Sequence, residues 1–169
     1  MRRSVRWVRQ SVVGGACMAL SACRAPVADE LVPVPAELRT TVLATVAEYV
    51  NGVSAKDTAR MRAVLDPGAR YDTYYADGAD TGTVRSGTVE SQLSGVASRS
   101  GVIRAHIWKS VVQVSDGIAS IWTPYEVLVD GRIGWCGTDH FTLLKRPAGW
   151  RITSVNYTRR TTTCVPGPP

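Results

Sequence analysis

Four runs of alternating apolar and polar residues fill the second half of the chain. They are Val102–Ser115, Ile118–Val129, Arg132–Arg146 and Trp150–Arg159. Asp116-Gly117, Asp130-Gly131 and Pro147-Ala148-Gly149 stand between them. A period of two sends alternate side chains to opposite faces of a strand, so each run can bury one face and wet the other. Asp-Gly between two such runs is a strong hairpin signal. The second half is therefore expected to form an antiparallel meander. Long strands in such a sheet must twist and curl.

The first half has helical spacing instead. Leu38, Val42, Val46, Tyr49 and Val50 mark one face of a helix from Ala36 to Val50, with Asn51-Gly52 as its expected stop. Ser54 to Asp57 resembles a capping box and opens a short helix bearing Met61 and Leu65. Ala69 to Tyr75 is a short strand, Ala76 to Gly87 a loop or weak hairpin, and Thr88 to Ser98 a third helix. The expected fold is α+β: a cone-shaped, curved antiparallel sheet packed on three N-terminal helices, with room for a cavity at the wide end.

The extreme N-terminus reads as an address. Arg2, Arg3, Arg6 and Arg9 precede a short apolar stretch that ends in Leu20-Ser21-Ala22-Cys23. About 12 apolar residues are too few to span a bilayer, which takes roughly 20. The order of basic, apolar and small residues is that of a secretory signal. The four residues at its end look like a bacterial lipobox, with Cys23 as the lipidated residue. Residues 1–22 are then a signal peptide and residues 23–35 a lipidated, Pro-rich tether. Residues 36–160 are the folded domain and 161–169 a flexible tail. The expected location is the bacterial cell envelope, attached to the membrane by lipid alone. Arg24, where a retention aspartate would stand, points to the outer membrane in a Gram-negative host.

This address also explains the charge. The whole chain carries 20 basic and 14 acidic residues, a net of +6. Without the four signal arginines, the remainder is 16 to 14, or +2. That removes the main argument for a nucleic-acid partner. The pairs Lys145-Arg146 and Arg159-Arg160 read as solvated strand ends. Two histidines and scattered cysteines argue against a metal site, and no motif calls for a cofactor.

The helix end Tyr49-Val50-Asn51-Gly52, Trp122-Thr-Pro-Tyr125, Cys136-Gly-Thr-Asp139-His-Phe141-Thr-Leu143 and Gly149-Trp150-Arg-Ile152 resemble the nuclear transport factor 2-like superfamily. Within it the chain is most similar to SnoaL-like and lumazine-binding-like members, from about Ala36 to Arg160. The resemblance implies the cone fold and homodimers through the outer sheet face. It implies little about chemistry, because that fold hosts isomerases, dehydratases, cyclases and binding proteins.

Register suggests which side chains share the cavity. A two-residue turn at Asp116-Gly117 sets Ser115 opposite Ile118, Trp108 opposite Tyr125 and His106 opposite Val127. A three-residue loop with a bulge at Gly131 brings Trp135, Asp139 and Phe141 to the same inner side. Asp139 would then meet Thr123, Tyr125 and Tyr157. Burial would raise its pKa, as for a general base, with Tyr125 or Tyr157 polarising a substrate oxygen. Ketosteroid isomerase, a relative in fold, uses an aspartate in that way. The alternative is an Asp139 hydrogen-bonded into the sheet as a structural group. His106 is either a partner of Asp139 or a rim residue. Tyr49, Trp108, Tyr125 and Trp135 either stack on a flat ligand or form plain core. Cys17 leaves with the signal. Cys136 and Cys164 are either a disulfide or two free thiols. Two functions follow: a lipoprotein that binds a small apolar or aromatic molecule or mediates protein contacts, or an isomerase-, dehydratase- or cyclase-type enzyme with Asp139 as base.

Overall fold

The structure is a computed structural model that describes residues 33–168. The expected signal peptide, Cys23 and most of the tether lie outside those residues. Among these described residues, three helices and seven strands follow in the order α1 (Ala36–Ala55), α2 (Thr58–Val64), β1 (Leu65–Tyr75), β2 (Val84–Thr88), α3 (Val89–Ala97), β3 (Ile103–Ile107), β4 (Val111–Ser115), β5 (Ile118–Val129), β6 (Arg132–Arg146) and β7 (Gly149–Arg159). The strands make one curved, unclosed sheet in the order β2-β1-β7-β6-β5-β3, and β4 pairs β5 further along. The helices pack against it, so the fold is α+β as expected. The pair β1–β7 is parallel, which makes the sheet mixed.

Burial follows the two periods. Val42, Val46, Tyr49 and Val50 form the inner face of α1, while Ala119, Ile121, Phe141, Leu143, Ile152 and Val155 line the inner face of the sheet. Each fully buried aliphatic or aromatic side chain contributes roughly 1.5–3 kcal/mol. No described helix is long and apolar enough to cross a membrane.

The expected helix stop at Asn51-Gly52 is overturned. The helix runs on to Ala55 and ends at Lys56, whose φ of 54° is left-handed. Gly52 serves a close approach: a Cβ there would sit 2.6 Å from Met61 Cγ. The capping position of α2 is Asp57, whose carboxylate accepts from the Arg60 amide at 2.9 Å. Lys56 Nζ donates to the carbonyls of Arg99 and Gly101 at 2.6 and 2.7 Å, which ties the end of α1 to the loop after α3. At the start of α3, Thr88 and Ser91 cap each other's backbone, a box not expected from the sequence.

Two irregularities set the register on either side of β5. The expected single strand Val102–Ser115 is broken at Trp108–Ser110, where Lys109 has a φ of 49°. Ser115 pairs Ile118 as expected, but beyond the break the pairing slips by one. Ile107 is opposite Tyr125, Ala105 opposite Val127 and His106 opposite Glu126. The placement of Trp108 and His106 on the inner face is thereby corrected to Ile107 and Ala105. Thr123 holds the break: its hydroxyl donates to the Trp108 carbonyl at 3.0 Å and accepts from Ser110 Oγ at 3.0 Å.

The second is a bulge in β6. The turn Asp130-Gly131 has two residues, both with positive φ of 51° and 79°, not the three expected. The extra residue is Gly134 instead, because Leu128 pairs Ile133 while Val127 pairs Trp135. A Cβ on Gly134 would sit 2.9 Å from Val129 Cγ2. From there on the register agrees with the expected one, with Thr123 opposite Asp139 and Ile121 opposite Phe141.

The tail is not free, contrary to expectation. Cys136 and Cys164 form a disulfide with Cα atoms 5.7 Å apart. The Asp77 carboxylate accepts from the amides and hydroxyls of Thr161 and Thr162 at 2.6 to 3.1 Å. Those bonds hold its pKa down at about 2. The Gly167 amide donates to the buried Glu126 carboxylate at 3.1 Å. The backbone there lies against Trp108, whose Cζ3 would be 2.9 Å from a Gly167 Cβ.

Candidate functional site

A cavity opens between α1, the end of α3 and the inner face of the sheet. From α1 come Tyr49, Val50 and Val53; from α3 and its exit come Gln92, Val96 and Arg99. The sheet supplies Ile107, Tyr125, Trp135, Asp139, Val155 and Tyr157. The free space is about 60 Å³. That holds a few waters, and is less than half of the ~150 Å³ that admits benzene in an engineered apolar cavity.

Among the described residues, Asp139 is the only carboxylate that lines it. The Gly134 bulge gives it the inward parity, between Thr123 on β5 and Tyr157 on β7. It is surrounded by protein but keeps some surface open to the cavity. No hydrogen bond reaches its carboxyl among the described residues, although buried polar groups are normally paired. Its neighbours are engaged elsewhere. Thr123 is committed to the strand break. Tyr125 donates its hydroxyl to the Thr158 carbonyl at 2.9 Å. That carbonyl can come close because residue 137 is glycine, where any Cβ would collide with it. Burial alone pushes the Asp139 carboxyl from an ordinary 3.8 up to about 8. At pH 7 it is mostly a neutral acid, which offers one donor and one acceptor to whatever fills the cavity.

The tyrosines are held protonated by burial: Tyr49, Tyr125 and Tyr157 all titrate above the ordinary range. Tyr49 accepts from Gln92 Nε2 at 3.1 Å and meets Phe141 edge-on at 5.8 Å. It is both core and wall. Trp135 lines the cavity with Arg99 above its ring, 4.3 Å from the centroid.

Of the residues singled out above, Tyr49, Tyr125, Trp135, Asp139 and Tyr157 meet at this cavity. His106 reaches its edge, and its Nδ1 lies 3.6 Å from Glu126, not beside Asp139. Trp108 and Thr123 do not line it. Cys136 and Cys164 tie the tail. Among the described residues, no group of three or more His, Cys, Asp or Glu side chains could hold a metal. Sequence reasoning missed Gln92 and Arg99. Arg99 continues the α3 stripe of Val89, Leu93 and Val96 at helical spacing, and that periodicity was its available signal.

The sequence model of the putative lumazine-binding family matches residues 37–158. No curated protein matches. Many solved structures do. A nuclear transport factor 2-like protein of unknown function from Shewanella baltica is 16% identical, with a TM-score of 0.60, over 77% of this chain and 99% of that one. A protein of unknown function with a cystatin-like fold from Nostoc punctiforme is 9% identical, with a TM-score of 0.61, over 76% and 96%. A putative dehydratase of the nuclear transport factor 2-like family from Streptomyces avermitilis is 14% identical, with a TM-score of 0.57, over 73% and 96%. At these identities the likeness concerns the fold.

The unpaired acid predicts a pH-dependent stability. Its folded pKa is raised, so folding takes up a proton between pH 4 and 8 and stability falls across that window. Asp139→Asn removes the titration. The variant should match the wild type near pH 4 and exceed it by roughly 2–5 kcal/mol at pH 8. Urea denaturation at both pH values measures this. An equal gap at the two pH values would contradict a buried, unpaired Asp139.

Proposed function

We propose that this chain, which belongs to the putative lumazine-binding family, binds a small flat heteroaromatic molecule in its cone. The observation that carries the reading is Asp139, a neutral acid among aromatic walls with no partner among the described residues. A carboxylic acid pairs with an amide-like ring edge through two hydrogen bonds, one given and one received. The pteridinedione ring of lumazine has such edges. The present space is too small for it, so entry requires the half-buried Trp135 and Arg99 side chains to swing aside.

The same Asp139 supports a second reading, a proton-transfer enzyme of the isomerase or dehydratase kind. The putative dehydratase from Streptomyces avermitilis shares the fold. In that case Tyr157 would polarise the substrate, because the Tyr125 hydroxyl already serves a backbone carbonyl.

Titration with lumazine, followed by quenching of tryptophan fluorescence, tests the first reading. Saturable quenching is expected. Asp139→Asn, which keeps a donor and an acceptor, should retain it, and Asp139→Leu should weaken it about tenfold. Equal affinity in the Leu variant would overturn the pairing. Under the second reading, the Asn variant binds a substrate but does not turn it over.

The protein is further proposed to act as a lipid-anchored component of the bacterial cell envelope, on the outer membrane in a Gram-negative host. Leu20-Ser21-Ala22-Cys23 supports this, and so does a disulfide, which persists in oxidising compartments. Radiolabelled palmitate should enter the wild type and not Cys23→Ala, and the variant should leave the membrane fraction. Unchanged membrane association of Cys23→Ala would contradict the anchor.

A further inference from the structure

Four arginines of the domain have a carboxylate within 2.9 Å: Arg60 with Glu48, Arg62 with Glu90, Arg85 with Asp80 and Arg146 with Asp66. Arg99 and Arg159 are among the arginines that have none in the described residues. Both instead lie over the Trp135 ring, at 4.3 and 4.8 Å from its centroid. Arg159 also approaches Tyr75, at 5.9 Å. It was expected to be a solvated strand end and is half-buried.

This arrangement is costly. Arg99 Nε is fully buried and has no hydrogen-bond partner. Burial and the neighbouring Arg159 charge both act against the Arg99 cation. Cation–π contact returns roughly 0.5–2 kcal/mol per pair and does not satisfy the buried Arg99 Nε–H. Nearby acids do not help. Asp139 keeps its proton, Asp80 is paired to Arg85, and Asp77 is occupied by Thr161 and Thr162. A guanidinium with free donors matches a carboxylate or phosphate in geometry and charge.

We propose that Arg99 and Arg159 hold the anionic group, a carboxylate or a phosphate, of the flat molecule whose ring enters the cavity beside Trp135. Arg99 lines the ring cavity, and Arg159 lines an adjoining recess with Tyr75, Arg85 and Thr161. The ligand class is thus an aromatic or heteroaromatic anion. This rests on the ligand-binding reading above and adds a charge to it.

Calorimetric titrations with 2-naphthoate, 2-naphthyl phosphate and the neutral 2-naphthamide, at fixed ionic strength, test the proposal. At least one anion should bind ten or more times tighter than the amide, and the tighter of the two names the head group. Arg99→Gln and Arg159→Gln should each remove most of that advantage, and Arg160→Gln, at the exposed next position, should keep it. Lumazine binding by each variant checks that its cavity is intact. Added salt should weaken the wild-type anion complex and spare the amide. Equal binding of anion and amide would overturn the charge assignment and leave the ring cavity standing. Absence of binding by all three would overturn it as well, while the lumazine titration judges the cavity by itself.

Discussion

The site depends on one extra residue in one strand. Side chains on a strand alternate with period two, so a slip of one exchanges its inner and outer faces. The Asp130-Gly131 turn alone would set Thr123 opposite Thr138 and turn Asp139 outward. Gly134 supplies the missing residue, and a glycine is needed because a Cβ would meet Val129 at 2.9 Å. Everything after it follows: Trp135, Asp139, Phe141 and Leu143 share the inner face. Outward parity goes to Cys136, bridged to the tail, and to His140, stacked on the exposed Trp122 at 4.2 Å.

The inner face is then divided. Toward the narrow part, Phe141, Leu143 and Ile152 are fully buried against α1 and α2 and supply the core. Toward the wide part the packing loosens around groups that do not stabilise the fold. An acid without a partner among the described residues and a buried, unpaired Arg99 Nε are each a cost to the folded state. Strain of this kind persists where a site needs it and the surrounding packing can sustain it. The locked tail adds support, since the disulfide and the Asp77 clamp restrain the strand ends that frame the cavity.

Much of this was legible in the sequence, for physical reasons. Alternation and Asp-Gly turns marked β5, β6 and β7 and the inward parity of Asp139. Helical spacing marked the helices, whereas the capping box expected at Ser54 falls inside α1 and the cap of α2 is Asp57. The failures have equally definite causes. The break at Trp108–Ser110 contains no glycine or proline, and Lys109 takes a left-handed φ that gives no compositional sign. The slip it causes moved Trp108 and His106 away from the inner face. Gly52 looked like a stop because close helix packing and helix termination call for the same residue. The tail looked free because its anchors, Asp77 and Glu126, lie 84 and 41 residues away in the chain. Arg159 was read as a solvated strand end and Arg99 was missed, since nothing local shows that Trp135 lies between a helix exit and a strand end.

The central claim is that the bulge turns Asp139 into a cavity where none of the described residues hydrogen-bonds it. The most direct measurement is the titration of its side-chain carboxyl carbon by nuclear magnetic resonance, assigned by comparison with Asp139→Asn. A midpoint of about 8 is the predicted result. A midpoint near the ordinary 3.8 would place the carboxylate in water or in a hydrogen-bonded pair and contradict the account.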